Sequence, residues 1–142
     1  MLAAPDLTDS IRKVHDFLTV GAATPLQQAG ITALGLPNEY YKNLAVEYKN
    51  RRDHLLSSLE SAGLQPLAPA GAYYVMAGIS GLGFANDLEI VRHLIEKLGV
   101  ACVPGSSFYA HSGGGEQYVR FCFCKKYETL EKARYKLRDL NL

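Results

Sequence analysis

A strand-like segment near the C-terminus, residues 118–124, contains the side chain best suited to chemistry, Arg120. Alternation with a period of two places Val119 and Phe121 on one face of this strand and Arg120 on the other. A guanidinium group is always charged and presents a planar fork of N–H donors, which can pair with both oxygens of a carboxylate. Arg120 is therefore suited to bind a carboxylate, although from these residues alone an arginine on a solvated sheet face is the better interpretation.

The cysteines form a second set of reactive side chains: Cys102, Cys122 and Cys124. Cys122 and Cys124 lie two positions apart and share one strand face, which is the spacing of half a metal site. No C-x-x-C pair accompanies them. The histidines are scattered without ligand spacing, at His15, His54, His93 and His111. We expect reduced thiols that serve packing, and no metal site.

The composition limits the classes of partner. Lysine and arginine number 15 and the acidic residues 14 among 142, so no excess of charge favours nucleic acid or an anionic membrane. No apolar run approaches the roughly 20 residues of a membrane-spanning helix, and the N-terminus does not resemble a signal peptide. The length suits one domain, or one domain with part of another. We expect a cytoplasmic protein without nucleic-acid or membrane partners.

The hydrophobic periodicity predicts an α+β (mixed α/β) fold. Helices with one apolar face each would pack on one face of a small mixed or antiparallel sheet. The predicted elements are short helices over residues 9–17 and 27–34, a long helix over 39–62, strands over 64–68 and 72–77, a helix capped by Asn86, strands over 100–103 and 118–124, and a helix over 127–140.

Several segments, taken in their order and spacing, resemble class I (fold type I) aminotransferases that depend on pyridoxal 5'-phosphate. The resemblance is closest to the kynurenine, methionine and aromatic aminotransferase branch. The segments are residues 14–17, 24–29, 48–53, 69–75 and 103–109, and Y-V-R-F at 118–121. The resemblance implies an L-amino acid and a 2-oxo acid as substrates, a homodimer, and Arg120 as the residue that binds the substrate α-carboxylate.

The family carries its Schiff-base lysine in a serine-lysine segment followed by T-G-W/L-R-x-G-Y, and this chain shows neither motif. Residues 1–5 resemble the stretch just after that motif. The resemblance thus implies a C-terminal fragment: residues 1–38 as the tail of the large cofactor-binding domain, and 39–142 as the small domain with a linking helix over 39–62. We expect no catalytic or cofactor-binding residue in this chain, and no transamination by the chain alone.

Two further residues are candidates through the resemblance. In the kynurenine-type branch, the loop that matches Val20 and Gly21 reaches into the site of the neighbouring subunit, although a simple interface loop of small residues fits equally well. Two other functions stay open for the whole chain. One is a stand-alone α/β module that binds a carboxylate through Arg120, and the other is a dimerisation domain without catalysis.

Overall fold

A computed structural model describes residues 3–111 and 113–141 of the chain, the last of them by its backbone alone. Five α-helices and four β-strands form within these residues. In chain order they are α1 (Pro5–Thr19), α2 (Thr24–Leu34), α3 (Asn38–Ser61), β1 (Gln65–Leu67), β2 (Tyr74–Gly78), α4 (Asp87–His93), β3 (Val103–Pro104), β4 (Tyr118–Cys122) and α5 (Tyr127–Leu137). A π-helical turn follows α4 (Leu94–Leu98), and 3-10 turns follow β3 (Gly105–Phe108) and α5 (Arg138–Asn141). None of the described helices is both long and apolar enough to cross a membrane.

The chain divides into two compact units, with the boundary after Tyr41. In the first unit, α1 and α2 each begin earlier than predicted, with a proline in the first turn. Proline suits that position because its fixed φ matches the helix and its missing N–H would be unpaired there anyway. Neither helix has a buried residue, and Phe17 is 94% exposed. The apolar side chains of this unit therefore lack an internal core.

The second unit is built on a four-stranded antiparallel sheet with the strand order β1-β2-β4-β3. The predicted α+β architecture is confirmed. The predicted strand over 100–103 is wrong in extent, because only Val103 and Pro104 pair with β4. The backbone N–H of Val100 instead donates to the carbonyl of Leu94 at 2.8 Å and closes the π-helical turn. A proline without an N–H suits the edge position that β3 occupies.

The helices of the second unit cover one face of the sheet. One apolar cluster joins α3 and α4 to the sheet residues Val75 and Val119, and the final helix closes it. The apolar stripe predicted along the long helix is buried only in its second half, since Leu55 and Leu59 are buried whereas Leu44 is exposed. The opposite face of the sheet is more open, since Tyr74, Met76 and Arg120 on that face are only half-buried.

Truncation of Leu59 tests this core. Leu59 has no exposed surface, so Leu59→Ala leaves a cavity and should lower the free energy of unfolding by about 2–5 kcal/mol. Leu88→Ala, at an exposed position of α4, is the matched control and should change it by less than about 0.5 kcal/mol. Urea unfolding followed by circular dichroism measures both. Equal losses in the two variants would contradict the assigned core.

The predicted cap of α4 is confirmed. The Asn86 side chain accepts a hydrogen bond from the backbone N–H of Glu89 at 3.0 Å. The Glu89 carboxylate in turn accepts from the backbone N–H of Ala85 at 2.7 Å. Together these bonds fix the start of α4, because they satisfy N–H groups that have no partner within the helix.

Candidate functional site

Arg120 lies in the middle of β4, on the half-buried face of the sheet that is opposite the helices. It pairs with Met76 of β2 on one side and with Val103 of β3 on the other. Its neighbours Val119 and Phe121 are buried in the core, while Arg120 itself is half-buried. The alternation predicted from the sequence is confirmed, and strand pairing on both sides holds the backbone of Arg120 in place.

Two aromatic rings flank the guanidinium group of Arg120. Its central carbon lies 4.2 Å from the ring centre of Phe108 and 5.0 Å from that of Tyr74. The face of an aromatic ring attracts a cation and also shields it from water. The rings therefore restrict the guanidinium orientation and leave its N–H edges as the positions from which it can donate.

Within residues 3–111 and 113–141, the Arg120 guanidinium forms no ion pair and no side-chain hydrogen bond. Arg51 and Arg52 on α3, by contrast, each donate to a neighbouring carboxylate. A partly buried charge is costly when it has no partner. The donors of Arg120 are thus not satisfied by any carboxylate in the described part of the chain.

A cleft of about 440 Å³ opens beside Arg120, and we call it the Arg120 cleft. It is lined by Tyr74, Met76, Phe108, Tyr109 and Arg120. The lining combines one cation with three aromatic rings and a thioether, and it includes no acidic side chain. Its chemistry suits a ligand with a carboxylate at one end and an apolar body.

Among the lining residues, only Arg120 was predicted from the sequence to belong to a site. The alternation along β2, where Val75 and Ala77 are buried, contains a signal that could have placed Tyr74 and Met76 on the Arg120 face. No periodicity marks Phe108, because it belongs to a turn. Only the tertiary structure brings that ring to the guanidinium.

The turn that supplies Phe108 depends on a close backbone approach at Gly105. A Cβ atom added there would overlap the carbonyl oxygen of Gly115 and lie 2.6 Å from that of Tyr118. No side chain fits such a space without a shift of the backbone. Gly105 therefore fixes the turn against the start of β4, two residues from Arg120.

Val20 and Gly21, the other candidate site residues, lie in the first unit, whereas Arg120 lies in the second. Val20 follows α1 with φ 54°, which is a rare conformation for a β-branched residue. Its side chain is almost fully exposed, and an added Cβ at Gly21 would meet no atom within 4 Å. Their contribution to a partner's site stays a prediction.

The cysteines lie in the second unit as reduced thiols. The sulfur atoms of Cys122 and Cys124 are 3.0 Å apart, and this contact raises the pKa of Cys124. Burial raises the pKa of the Cys102 thiol to about 12. In the described part of the chain, no three His, Cys, Asp or Glu side chains lie together as metal ligands would.

Alkylation tests the environment of Cys102. A thiol with a pKa of about 12 is almost entirely protonated at pH 8, and only the thiolate reacts. We expect iodoacetamide to modify Cys102 in the folded chain on the order of 1,000-fold more slowly than an ordinary thiol of pKa about 8.5. Peptide mass spectrometry of timed samples measures the rate. Urea-unfolded chain is the control, and equal rates in the folded and unfolded states would contradict the burial of this thiol.

Comparison with known proteins shows the family of the chain. Residues 1–137 match the family described as aminotransferase class I and II. The chain belongs to this family. It is 37% identical to a kynurenine–oxoglutarate transaminase of Dictyostelium discoideum, over 95% of the chain and 36% of that protein. It is 34% identical to a methionine aminotransferase of Escherichia coli, over 98% of the chain and 36% of that protein.

Solved structures show the same relationship. N-succinyldiaminopimelate aminotransferase from Mycobacterium tuberculosis superposes with a TM-score of 0.84 at 30% identity, over 97% of the chain and 36% of that structure. The methionine aminotransferase from Escherichia coli superposes with a TM-score of 0.79 at 34% identity, over 96% and 36%. The chain thus spans about a third of the length of these relatives.

Members of this family depend on pyridoxal 5'-phosphate. The residues that line the Arg120 cleft include neither a lysine to attach the cofactor nor a carboxylate to face its ring nitrogen. The chemistry of the cleft suits a carboxylate and does not fit the cofactor. No chemical step that involves the cofactor is assigned to these residues.

Proposed function

We propose that this chain is the C-terminal part of an aminotransferase that moves an amino group from an L-amino acid to a 2-oxo acid by means of pyridoxal 5'-phosphate. Arg120 binds the α-carboxylate of the substrate in this proposal. The observation that carries it is the guanidinium group held between Phe108 and Tyr74 without a carboxylate partner in the described part of the chain.

The proposed division of the chain follows the family resemblance. Residues 1–38 are the tail of the large cofactor-binding domain, and residues 39–142 are the small domain with its linking helix. Val20 and Gly21 complete the substrate site of the partner subunit in a cytoplasmic homodimer. The Schiff-base lysine is supplied by a part of the enzyme outside this chain. The matches to about a third of each relative support this division.

The role of Arg120 is to orient the substrate. Two parallel hydrogen bonds from a planar guanidinium fix both the position and the rotation of a carboxylate. Such positioning aligns the bonds at the α-carbon for reaction, and it thereby lowers the activation free energy. The aromatic rings beside Arg120 offer apolar contacts to the rest of the substrate. Two relatives are named for kynurenine and methionine, amino acids whose side chains contain an aromatic ring or a thioether. These names support a substrate with an apolar side chain.

Ligand titration tests the carboxylate assignment on the chain itself. The probes are 3-phenylpropionate and 3-phenylpropanamide, which differ only in the carboxylate. We expect the acid to shift the NMR signals of the Arg120 side chain and of Phe108 in a saturable way. The neutral amide should shift them little at the same concentration. Equal responses to both probes would assign the cleft to apolar binding and contradict the proposal.

A turnover assay tests the expected inactivity of the chain alone. With added pyridoxal 5'-phosphate, an L-amino acid and a 2-oxo acid, the chain alone should show no transamination, because the family's lysine motif is missing from it. Turnover that disappears on replacement of one of the chain's lysines would contradict this. A chain that does not bind 3-phenylpropionate would instead favour a purely structural dimerisation domain.

A further inference from the structure

Asp87 is a buried carboxylate that the proposed carboxylate binding does not use. It is the first residue of α4, and only 1% of it is exposed. One oxygen, Oδ2, accepts a hydrogen bond from the backbone N–H of Ser106 at 2.7 Å. The other, Oδ1, is buried and has no hydrogen-bond partner among the described residues. Burial of such a group is costly, so its single bond to the turn needs a reason.

The bond from Asp87 reaches the Arg120 cleft through one rigid turn. Ser106 lies in the 3-10 turn Gly105–Phe108, in which the carbonyl of Ser106 also accepts from the N–H of Tyr109 at 3.1 Å. Gly105 packs the opposite side of this turn against the start of β4. The turn is thus held at two points, by the Asp87 carboxylate on α4 and by the backbone before Arg120. Its last residue, Phe108, lies over the guanidinium.

We propose that Asp87 is a positioning residue for carboxylate binding, which it supports by anchoring the turn that holds Phe108 against Arg120. The inference rests on the proposed role of Arg120. A carboxylate acceptor forms a shorter and stronger bond to an N–H than a neutral acceptor does. Without this anchor the turn keeps its packing at Gly105 and loses its bond to α4. Phe108 then moves away from Arg120, and the guanidinium samples orientations that do not suit the ligand.

Three variants test the proposal on the full chain. Asp87→Leu fills the buried space but removes the acceptor, whereas Asp87→Asn keeps an oxygen that can accept from Ser106. Glu89→Ala is the matched control, because it removes a carboxylate bond of the same length on the same helix that leads to Ala85 and not to the turn. The measurements are hydrogen exchange of the Ser106 amide by NMR and the affinity for 3-phenylpropionate.

We expect Asp87→Leu to accelerate exchange at Ser106 and to weaken 3-phenylpropionate binding, each by about tenfold, which corresponds to the loss of one charge-assisted hydrogen bond. Asp87→Asn should restore both to within about threefold of the original chain by the same reasoning. Glu89→Ala should change neither by more than about twofold, because its bond does not reach the turn. Arg120→Ala should weaken binding by about 100-fold and leave Ser106 exchange unchanged. Normal binding in Arg120→Ala would contradict the proposed function, whereas normal binding in Asp87→Leu would contradict only the role of Asp87.

Asp87→Leu could bind 3-phenylpropionate normally while Arg120→Ala binds it more weakly. That result would overturn the positioning role of Asp87 and leave the proposed function intact. If Asp87→Leu does not fold, Asp87→Ala provides the same comparison. If both fail to fold, Asp87→Asn decides, because a neutral acceptor holds the Ser106 N–H more weakly than a carboxylate does. Faster Ser106 exchange with unchanged binding of 3-phenylpropionate in Asp87→Asn would then assign Asp87 to stability alone and overturn the proposal.

Discussion

Replacement of Arg120 by alanine is expected to weaken binding of 3-phenylpropionate to the chain by about 100-fold, because two hydrogen bonds to a charged group are lost at about 1.5–3 kcal/mol each. In the complete enzyme proposed above, the same change should lower kcat/KM for L-amino acids by at least about 100-fold. Calorimetric titration measures the first effect, and steady-state kinetics measures the second.

Arg120→Lys should fall between the original chain and Arg120→Ala, because lysine keeps the charge but lacks the planar fork. Decarboxylated amines provide the internal control in the complete enzyme, since they have no carboxylate to bind. Their turnover should change little in either variant. Equal losses on amines and amino acids would show that Arg120 serves the structure of β4 and does not bind substrate.

Gly105→Ala is expected to damage both the turn and the site. The new Cβ would overlap two backbone carbonyl oxygens, those of Gly115 and Tyr118, and neither can move without displacing the start of β4. The free energy of unfolding should fall by about 1–3 kcal/mol, as it does when atoms are forced into a packed space. Binding of 3-phenylpropionate should weaken by at least about tenfold, because Phe108 and Arg120 flank the displaced backbone. Thermal unfolding and calorimetric titration give the two values.

Gly71→Ala is the matched control for Gly105→Ala. A Cβ at Gly71 meets no atom within 4 Å, and its backbone is not in the left-handed region. This variant should bind the probe normally and change the free energy of unfolding by at most about 1 kcal/mol, with stabilisation favoured because alanine restricts the unfolded chain. If Gly105→Ala behaved like Gly71→Ala, the close approach of the turn to β4 would be wrong.

Elements with a strong periodic pattern were predictable. The long helix α3 and the arginine strand β4 follow the 3.6- and 2-residue periods that burial on one side imposes. Elements with few residues were not. The edge strand β3 has only Val103 and Pro104, which is too short for any period to show. The π-helical turn after α4 also escaped prediction, because its apolar residues fit an ordinary helix equally well.

By itself, the sequence determined the small α+β unit, the face of β4 on which Arg120 lies, and the resemblance to aminotransferases. Local alternation and motif spacing suffice for these, since each depends on residues close together in the chain. Only the tertiary structure decided what surrounds Arg120. Phe108, Tyr74 and Asp87 come from a turn, another strand and a helix, and the contacts between them arise from sheet pairing and helix packing across long separations in sequence. No local pattern encodes such contacts, because they depend on where the whole sheet places each element.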